Sequence, residues 1–151
     1  MKKWIFLLIL GLLIGFAIKY AVNPAGDEDG VVYDGNKDET GTKVETDLIK
    51  VSAPRRNAKV SSPLKITGEA RGNWYFEATF PVKLLDGNGK ILAESYATAQ
   101  GEWMTTDFVP FTLELSFSGP NTDSGSLILE KSNASGLPEH DDHVTVPVRF
   151  R

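Results

Sequence analysis

The chain has 151 residues, 41% of them apolar, 24% charged and 10% aromatic, which leaves room for one globular domain and an appendage. Sixteen Lys and Arg stand against 20 Asp and Glu, a net charge of −4, so the overall basic excess with which proteins bind nucleic acid by counterion release is missing. The absence of Cys excludes disulfide frameworks, thiolate metal sites, Cys nucleophiles and lipid attachment at a cysteine.

Charge is distributed unevenly along the chain. Residues 1–22 carry Lys2, Lys3 and Lys19 and no acid, and Trp4 to Ile18 is an unbroken run of 15 apolar or glycine residues. As a helix this run covers about 22 Å, or about 28 Å when Lys19 snorkels and the helix continues to Val22, just enough for a hydrocarbon core of about 30 Å. The competing reading is a cleaved signal peptide, but a cut after Ala21 would put Lys19 three residues upstream, where a small side chain is needed. Residues 1–22 are therefore expected to be a signal anchor. The two leading lysines hold the N-terminus in the cytoplasm, which predicts a single-pass protein of the cytoplasmic membrane with its C-terminal part exported, periplasmic or extracellular.

Residues 23–47 hold eight acids against Lys37 and Lys43, with scattered apolar side chains. This is the composition of a disordered acidic linker, about 25–30 Å from end to end as a flexible coil. Asp34, Asn36, Asp38, Thr42 and Glu45 fall at ligand positions 1, 3, 5, 9 and 12 of a calcium loop. Glu39 occupies the sixth position, where the sharp turn needs Gly, and no amphipathic helix flanks the segment, so a solvated spacer is the expected role.

From Leu48 the apolar period changes to two, the signature of strands. Leu64, Ile66, Gly68 and Ala70 share one face. Trp74, Phe76, Ala78, Phe80, Val82 and Leu84 read as the next inward-facing set, followed by a tight turn at Asp86-Gly87-Asn88-Gly89. Ile91 to Ala99 presents small residues inward, Phe111, Leu113, Leu115 and Phe117 alternate cleanly, and Leu127, Leu129 and then Val144, Val146, Val148 and Phe150 complete the pattern. Residues 48–151 are thus expected to form an all-β, immunoglobulin-like antiparallel β-sandwich, with a small barrel as the alternative. Pro81 and Pro147 are predicted at sheet edges or bulges, since proline donates no ladder hydrogen bond.

The residues of known catalytic constellations are missing. His140 and His143 share one loop, and there is no nucleophile elbow, phosphate loop or dinucleotide glycine pattern. An enzyme would need an acid and base pair such as Glu77 with Glu102 in one cleft. Glu139, His140, Asp141, Asp142 and His143 could surround a divalent metal, but a solvated polar turn is the simpler reading, so neither metal nor cofactor is expected. Trp74 shares parity with the core, Tyr75 has the opposite parity and is expected outside, and Trp103 and Met104 lie in a segment without alternation. Tyr75, Trp103 and Met104 are therefore the candidate binding surface, for a sugar ring or a protein partner.

Ser62-Pro63-Leu64, Ile66-Thr67-Gly68-Glu69-Ala70, Trp74-Tyr75-Phe76-Glu77-Ala78, Gly101-Glu102-Trp103-Met104, Phe108-Val109-Pro110-Phe111 and Val146-Pro147-Val148 before Phe150, in this order, resemble the immunoglobulin-like domain of bacterial spore germination. The likeness covers about residues 49–151. It implies a bacterial, extracytoplasmic, non-enzymatic β-sandwich with no catalytic residues to carry over, here standing alone behind an anchor. The resulting expectation is a membrane-anchored accessory module that binds another cell-envelope component: a protein or, through exposed aromatics, peptidoglycan glycan. No nucleic acid and no small-molecule substrate is expected.

Overall fold

The structure, a computed structural model, describes residues 41–151. Its strands are β1 (Val44–Glu45), β2 (Ile49–Ala53), β3 (Ala58–Lys59), β4 (Leu64–Arg71), β5 (Thr79–Asp86), β6 (Ile91–Ala99), β7 (Phe108–Leu115), β8 (Ser124–Glu130) and β9 (His143–Arg149). They form one nine-stranded sheet in the order β1-β2-β4-β7-β6-β5-β8-β9-β3. Neighbours are antiparallel except β3 and β9, which run parallel.

Two long ladders meet at a short joint. β4 pairs with β7 along its whole length, from Leu64 opposite Leu115 to Arg71 opposite Phe108. β6 and β7 share only Thr98 opposite Thr112 and Ala99 opposite Phe111. Beyond that joint β6 pairs with β5 alone, so the sheet curls until β1, at one end of the order, lies against β9 near the other. The expected all-β alternation is present, as one curled sheet rather than two separate sheets. Its inner face is the core: Ile49, Val51, Ile66, Phe80, Val82, Leu84, Leu127, Leu129 and Val146 are all fully buried. Alternate residues of β4, β5, β7, β8 and β9 supply that face, as a strand period of two requires.

Three details differ from the sequence expectation. The first strand, β1, lies inside the stretch whose composition reads as linker: Val44 is buried and pairs with Val51. The expected strand from Trp74 to Leu84 is interrupted, because Gly72–Trp74 form a 3-10 turn and β5 starts only at Thr79, leaving Phe76 half exposed. Pro81 and Pro147 sit on β5 and β9, both interior in the strand order. Each is accommodated because its neighbour on one side has run out: the β5–β8 ladder starts at Val82, and Pro147 meets Asn57, ahead of the β3 ladder, through its own carbonyl, which accepts the Asn57 amide at 2.7 Å.

The Asp86-Gly87-Asn88-Gly89 turn is built as expected, with Gly89 at φ 80°. The buried Asp86 carboxylate makes it specific, accepting the Asn88 and Lys90 amides at 2.9 and 3.0 Å. Among the described residues no helix is long and apolar enough to cross a membrane. The apolar run Trp4 to Ile18 and the candidate calcium ligands Asp34, Asn36 and Asp38 lie outside those residues. Of the remaining calcium candidates, Glu45 is in β1 opposite Lys50, and Thr42, just ahead of that strand, accepts the Arg56 amide at 3.0 Å through its carbonyl.

Phe80 touches Trp74, Tyr75 and Phe111 and has no solvent exposure. Phe80→Ala is expected to lower unfolding free energy by about 3–5 kcal/mol. Urea unfolding followed by tryptophan fluorescence would measure this; a loss under about 1 kcal/mol would mean that the aromatic centre does not hold the curled sheet together.

Candidate functional site

Connections 46–48, 72–78, 100–107 and 131–142 meet at one end of the sheet, where β4, β6 and β8 finish and β2, β5, β7 and β9 begin. Hydrogen bonds tie them to one another. The Arg71 guanidinium donates to the Asp47 and Thr106 carbonyls at 3.2 and 2.9 Å. The Ser132 amide donates to the Trp74 carbonyl at 3.0 Å, its hydroxyl donates to the Thr79 carbonyl at 2.9 Å, and the Ala99 amide donates to the Ala78 carbonyl at 2.8 Å. Gly72 completes the closure: a Cβ there would stand 2.2 Å from the Trp103 carbonyl oxygen and 1.9 Å from that of Thr105. Only glycine lets the 72–78 and 100–107 connections come so close.

The 72–78 connection turns two aromatics inward and one outward. Trp74 is buried, edge-on to Phe80, with no hydrogen-bond acceptor for its indole N–H among the described residues. Tyr75 is also buried: its ring lies 5.4 Å from that of Phe80 and its hydroxyl donates to the Val109 carbonyl at 2.7 Å. The outward position expected for Tyr75 is therefore wrong. Parity assigns faces only within a strand, and the 3-10 turn ends just before Tyr75, whose hydroxyl finds an acceptor on β7. The chain then folds back at Glu77-Ala78, which join Phe76 to Thr79 through amide–carbonyl bonds of 3.0 and 3.1 Å. Both turn residues have positive φ, 51° and 62°, a conformation natural to Asn-Gly and strained in Glu-Ala. Phe76 is left 49% exposed at the base of this strained turn.

Across the gap, the 100–107 connection presents the other candidates. Trp103 is half-buried and packs against the core cluster, while Met104 is 74% exposed. The Glu102 carboxylate accepts the Met104 amide at 3.1 Å, and the Thr105 amide donates to the Trp103 carbonyl at 2.8 Å, so the loop is braced from within. Of the three residues predicted to form the surface, the structure places Met104 in solvent, Trp103 partly in solvent and Tyr75 in the core. Phe76 is the exposed aromatic that parity assigned inward; the signal for it was Gly72, a break in the strand pattern. Beside this end, the half-buried Phe108 ring carries the Lys50 ammonium at 4.0 Å and the Arg71 guanidinium at 4.2 Å, an arrangement held by cation–π attraction.

The polar clusters lie apart. Glu77 and Glu102 are exposed, and Glu102 is engaged in bracing its own loop. In the 131–142 connection, His140 Nδ1 is 3.0 Å from the Ser135 hydroxyl, the Asn133 amide group donates to Leu137 and Asp141, and Asp142 accepts the His143 amide. Each side chain serves loop structure, and among the described residues no group of three or more His, Asp or Glu is arranged to hold a metal ion.

Burial lifts the Tyr75 phenol well above its ordinary pKa, with the nearby Glu69 charge acting in the same direction. A raised folded-state pKa means that the stability from the neutral phenol is complete below about pH 10 and is lost as pH rises beyond it, because the unfolded chain ionises first. Tyr75→Phe is expected to cost about 1–3 kcal/mol and to flatten the alkaline fall in stability. Denaturation midpoints from pH 8 to 11 would show this; an unchanged slope in the variant would place the phenol in solvent.

The model of one protein family, the immunoglobulin-like domain of bacterial spore germination, matches residues 48–136. No curated protein matches the chain, and no solved structure does. The matched stretch runs from just before β2 through β8 into the last connection, and β9 completes the same sheet. It holds the 72–78 and 100–107 connections and the motifs from Ser62-Pro63-Leu64 to Phe108-Val109-Pro110-Phe111. The chain belongs to the family of immunoglobulin-like domains of bacterial spore germination.

Proposed function

We propose that this protein is a non-enzymatic accessory module, anchored to the cytoplasmic membrane by residues 1–22, whose exported domain docks an envelope protein through the end that carries Phe76 and Met104. The observation that carries the reading is the pair of exposed large apolar side chains on two connections bound to each other and to the core. Such side chains, held rigidly and rimmed by polar groups, are the usual anchors of a protein interface. Strain at Glu77-Ala78 supports the same assignment, since a costly backbone conformation at a surface turn persists where it positions something useful. The anchor rests on the apolar run after Lys2 and Lys3 and on the acidic stretch that follows it. A glycan platform has less to stand on, because one of its two expected rings, Tyr75, is in the core and the other, Trp103, is half-buried.

A photo-reactive amino acid at position 104 in the full chain, in intact cells, is expected to give one discrete protein adduct. The same group at Glu114 on β7 is expected to give none, and Phe76→Asp to remove the adduct at position 104. Co-sedimentation with purified wall sacculi that depends on Trp103 would replace the protein reading with a glycan one. Failure of external protease to reach a C-terminal epitope in spheroplasts would overturn the exported orientation.

A further inference from the structure

Beyond their two-residue joint, β6 and β7 part. β6 pairs with β5 from Thr98 back to Ile91, but on its other side residues 91–97 have no ladder partner among the described residues. Successive residues of an antiparallel strand turn their N–H and C=O to opposite sides. The Gln100 amide donates to the Pro110 carbonyl of β7, whereas the Ala99 amide donates the other way, to the Ala78 carbonyl. Glu94 and Tyr96, in step with Gln100, therefore turn both backbone groups to the open side. Residues 91–97 include neither lysine nor proline, which commonly close an exposed edge; their one charge is Glu94. Both lips of the break also leave core positions part-open. Ala93 and Ser95 stand opposite the fully buried Leu84 and Val82, and Leu113 of β7 stands opposite the fully buried Ile66, yet all three are only half-buried. Unpaired backbone groups beside a part-open core are the setting in which an extended chain adds to a sheet.

The outer face of β6 selects the chain that fits. Glu94 stands opposite Lys83, whose ammonium is held by Glu130 at 2.8 Å. Two carboxylates thus share one ammonium, and Glu94 forms no ion pair of its own among the described residues. With Pro81 and the 62% exposed Tyr96, these three side chains line a groove of about 500 Å³. A lysine or arginine opposite Glu94 on an added strand would enter this groove, balance its charge and lie beside the Tyr96 ring. A second copy of β6 fits less well. Residues 91–97 are centred on Glu94, so full-length antiparallel self-pairing sets two Glu94 carboxylates opposite each other. We propose that the open edge of β6 takes up an extended segment of a partner protein by strand addition, with apolar side chains toward Ala93, Ser95 and Leu113 and a basic side chain opposite Glu94. The surface is separate from the Phe76 and Met104 end and does not rest on the reading given for that end. The added strand continues the β5 ladder, while the exposed Glu114 of β7 points from the outer face of the other ladder.

The test follows amide exchange and NMR shifts of the labelled full chain in maltoside micelles. In the free chain the Glu94 and Tyr96 amides are expected to exchange about tenfold or more faster than those of Ser95 and Ala97, which face β5. The probe is a capped Thr-Val-Arg-Val-Thr-Val peptide. It should give saturable shifts centred on residues 91–97 and on Leu113, with a midpoint of about 0.1–5 mM, and should slow exchange at Glu94 and Tyr96. The same peptide with glutamate in place of arginine should bind about threefold or more weakly, and Glu94→Arg should reverse that order. Tyr96→Pro should abolish binding, because it removes a donor on the open side and none that pairs with β5. Phe76→Asp should change nothing, which separates this surface from the other end. Slow exchange of Glu94 and Tyr96 in the free chain would overturn the proposal: if independent of protein concentration it would mean that the edge is covered within the chain, and if dependent, that a second copy occupies it. Equal binding of the two peptides, or shifts spread evenly over the sheet, would overturn it as well. Amide spectra report the folding of each variant, and Glu94→Arg carries the test alone if Tyr96→Pro misfolds.

Discussion

The structure turns on the Phe80 side chain. From β5 its ring meets Phe111 of β7 edge-on at 5.0 Å, with Trp74 edge-on at 6.5 Å and Tyr75 tilted at 5.4 Å. β5 and β7 are not neighbours in the sheet, and the strand between them, β6, pairs with β7 through only two residues. Backbone hydrogen bonds therefore do little to hold the two ladders in their curled relation. Aromatic contact on the inner face does it instead, where large rings bury much area and gain from edge-to-face geometry. Gly68 belongs to the same arrangement, since a Cβ there would stand 2.6 Å from the Phe111 ring. The outer faces contribute less. Lys50–Glu69 and Lys83–Glu130 are cross-strand ion pairs at 2.9 and 2.8 Å whose side chains are about one-third exposed, and exposed pairs are worth about 0–1 kcal/mol.

The aromatic centre also explains why the two ends of the domain differ. Trp74 and Tyr75 are the last residues to point inward before the chain turns back, so the 72–78 connection is pinned to the core through them. Gly72 then brings the 100–107 connection against it, and Phe76 and Met104 are displayed from a braced base. Exposed apolar side chains on such a base lose little conformational entropy on binding. At the other end the connections are held by β3, a strand of only two residues, and by backbone bonds to β9.

Much of the fold was legible because burial on one face of a strand leaves a period of two in the sequence. The parity of β4, β7, β8 and β9 follows from Leu64, Ile66, Phe111, Leu115, Leu127, Leu129, Val144 and Val146, and the turn at Gly89 follows from its tolerance of positive φ. The candidate site was legible in part. Met104 and Trp103 stood out because their segment has no alternation, and that segment is indeed a connection between strands. Tyr75 and Phe76 were assigned to each other's environments, since a 3-10 turn resets the period and nothing in Trp74-Tyr75-Phe76 alone shows where the strand ends.

The sequence by itself determined the all-β class, the faces of the long strands, the turn at Asp86 to Gly89 and the membership of its family, because these depend on side chains close in the chain. Tertiary structure decided the rest. The curl of the sheet, the pairing of Val44 with Val51 and the hydrogen bond from Tyr75 to Val109 all join residues distant in sequence. Net charge and periodicity average along the chain, whereas a binding surface is made by the few side chains that folding brings to one place.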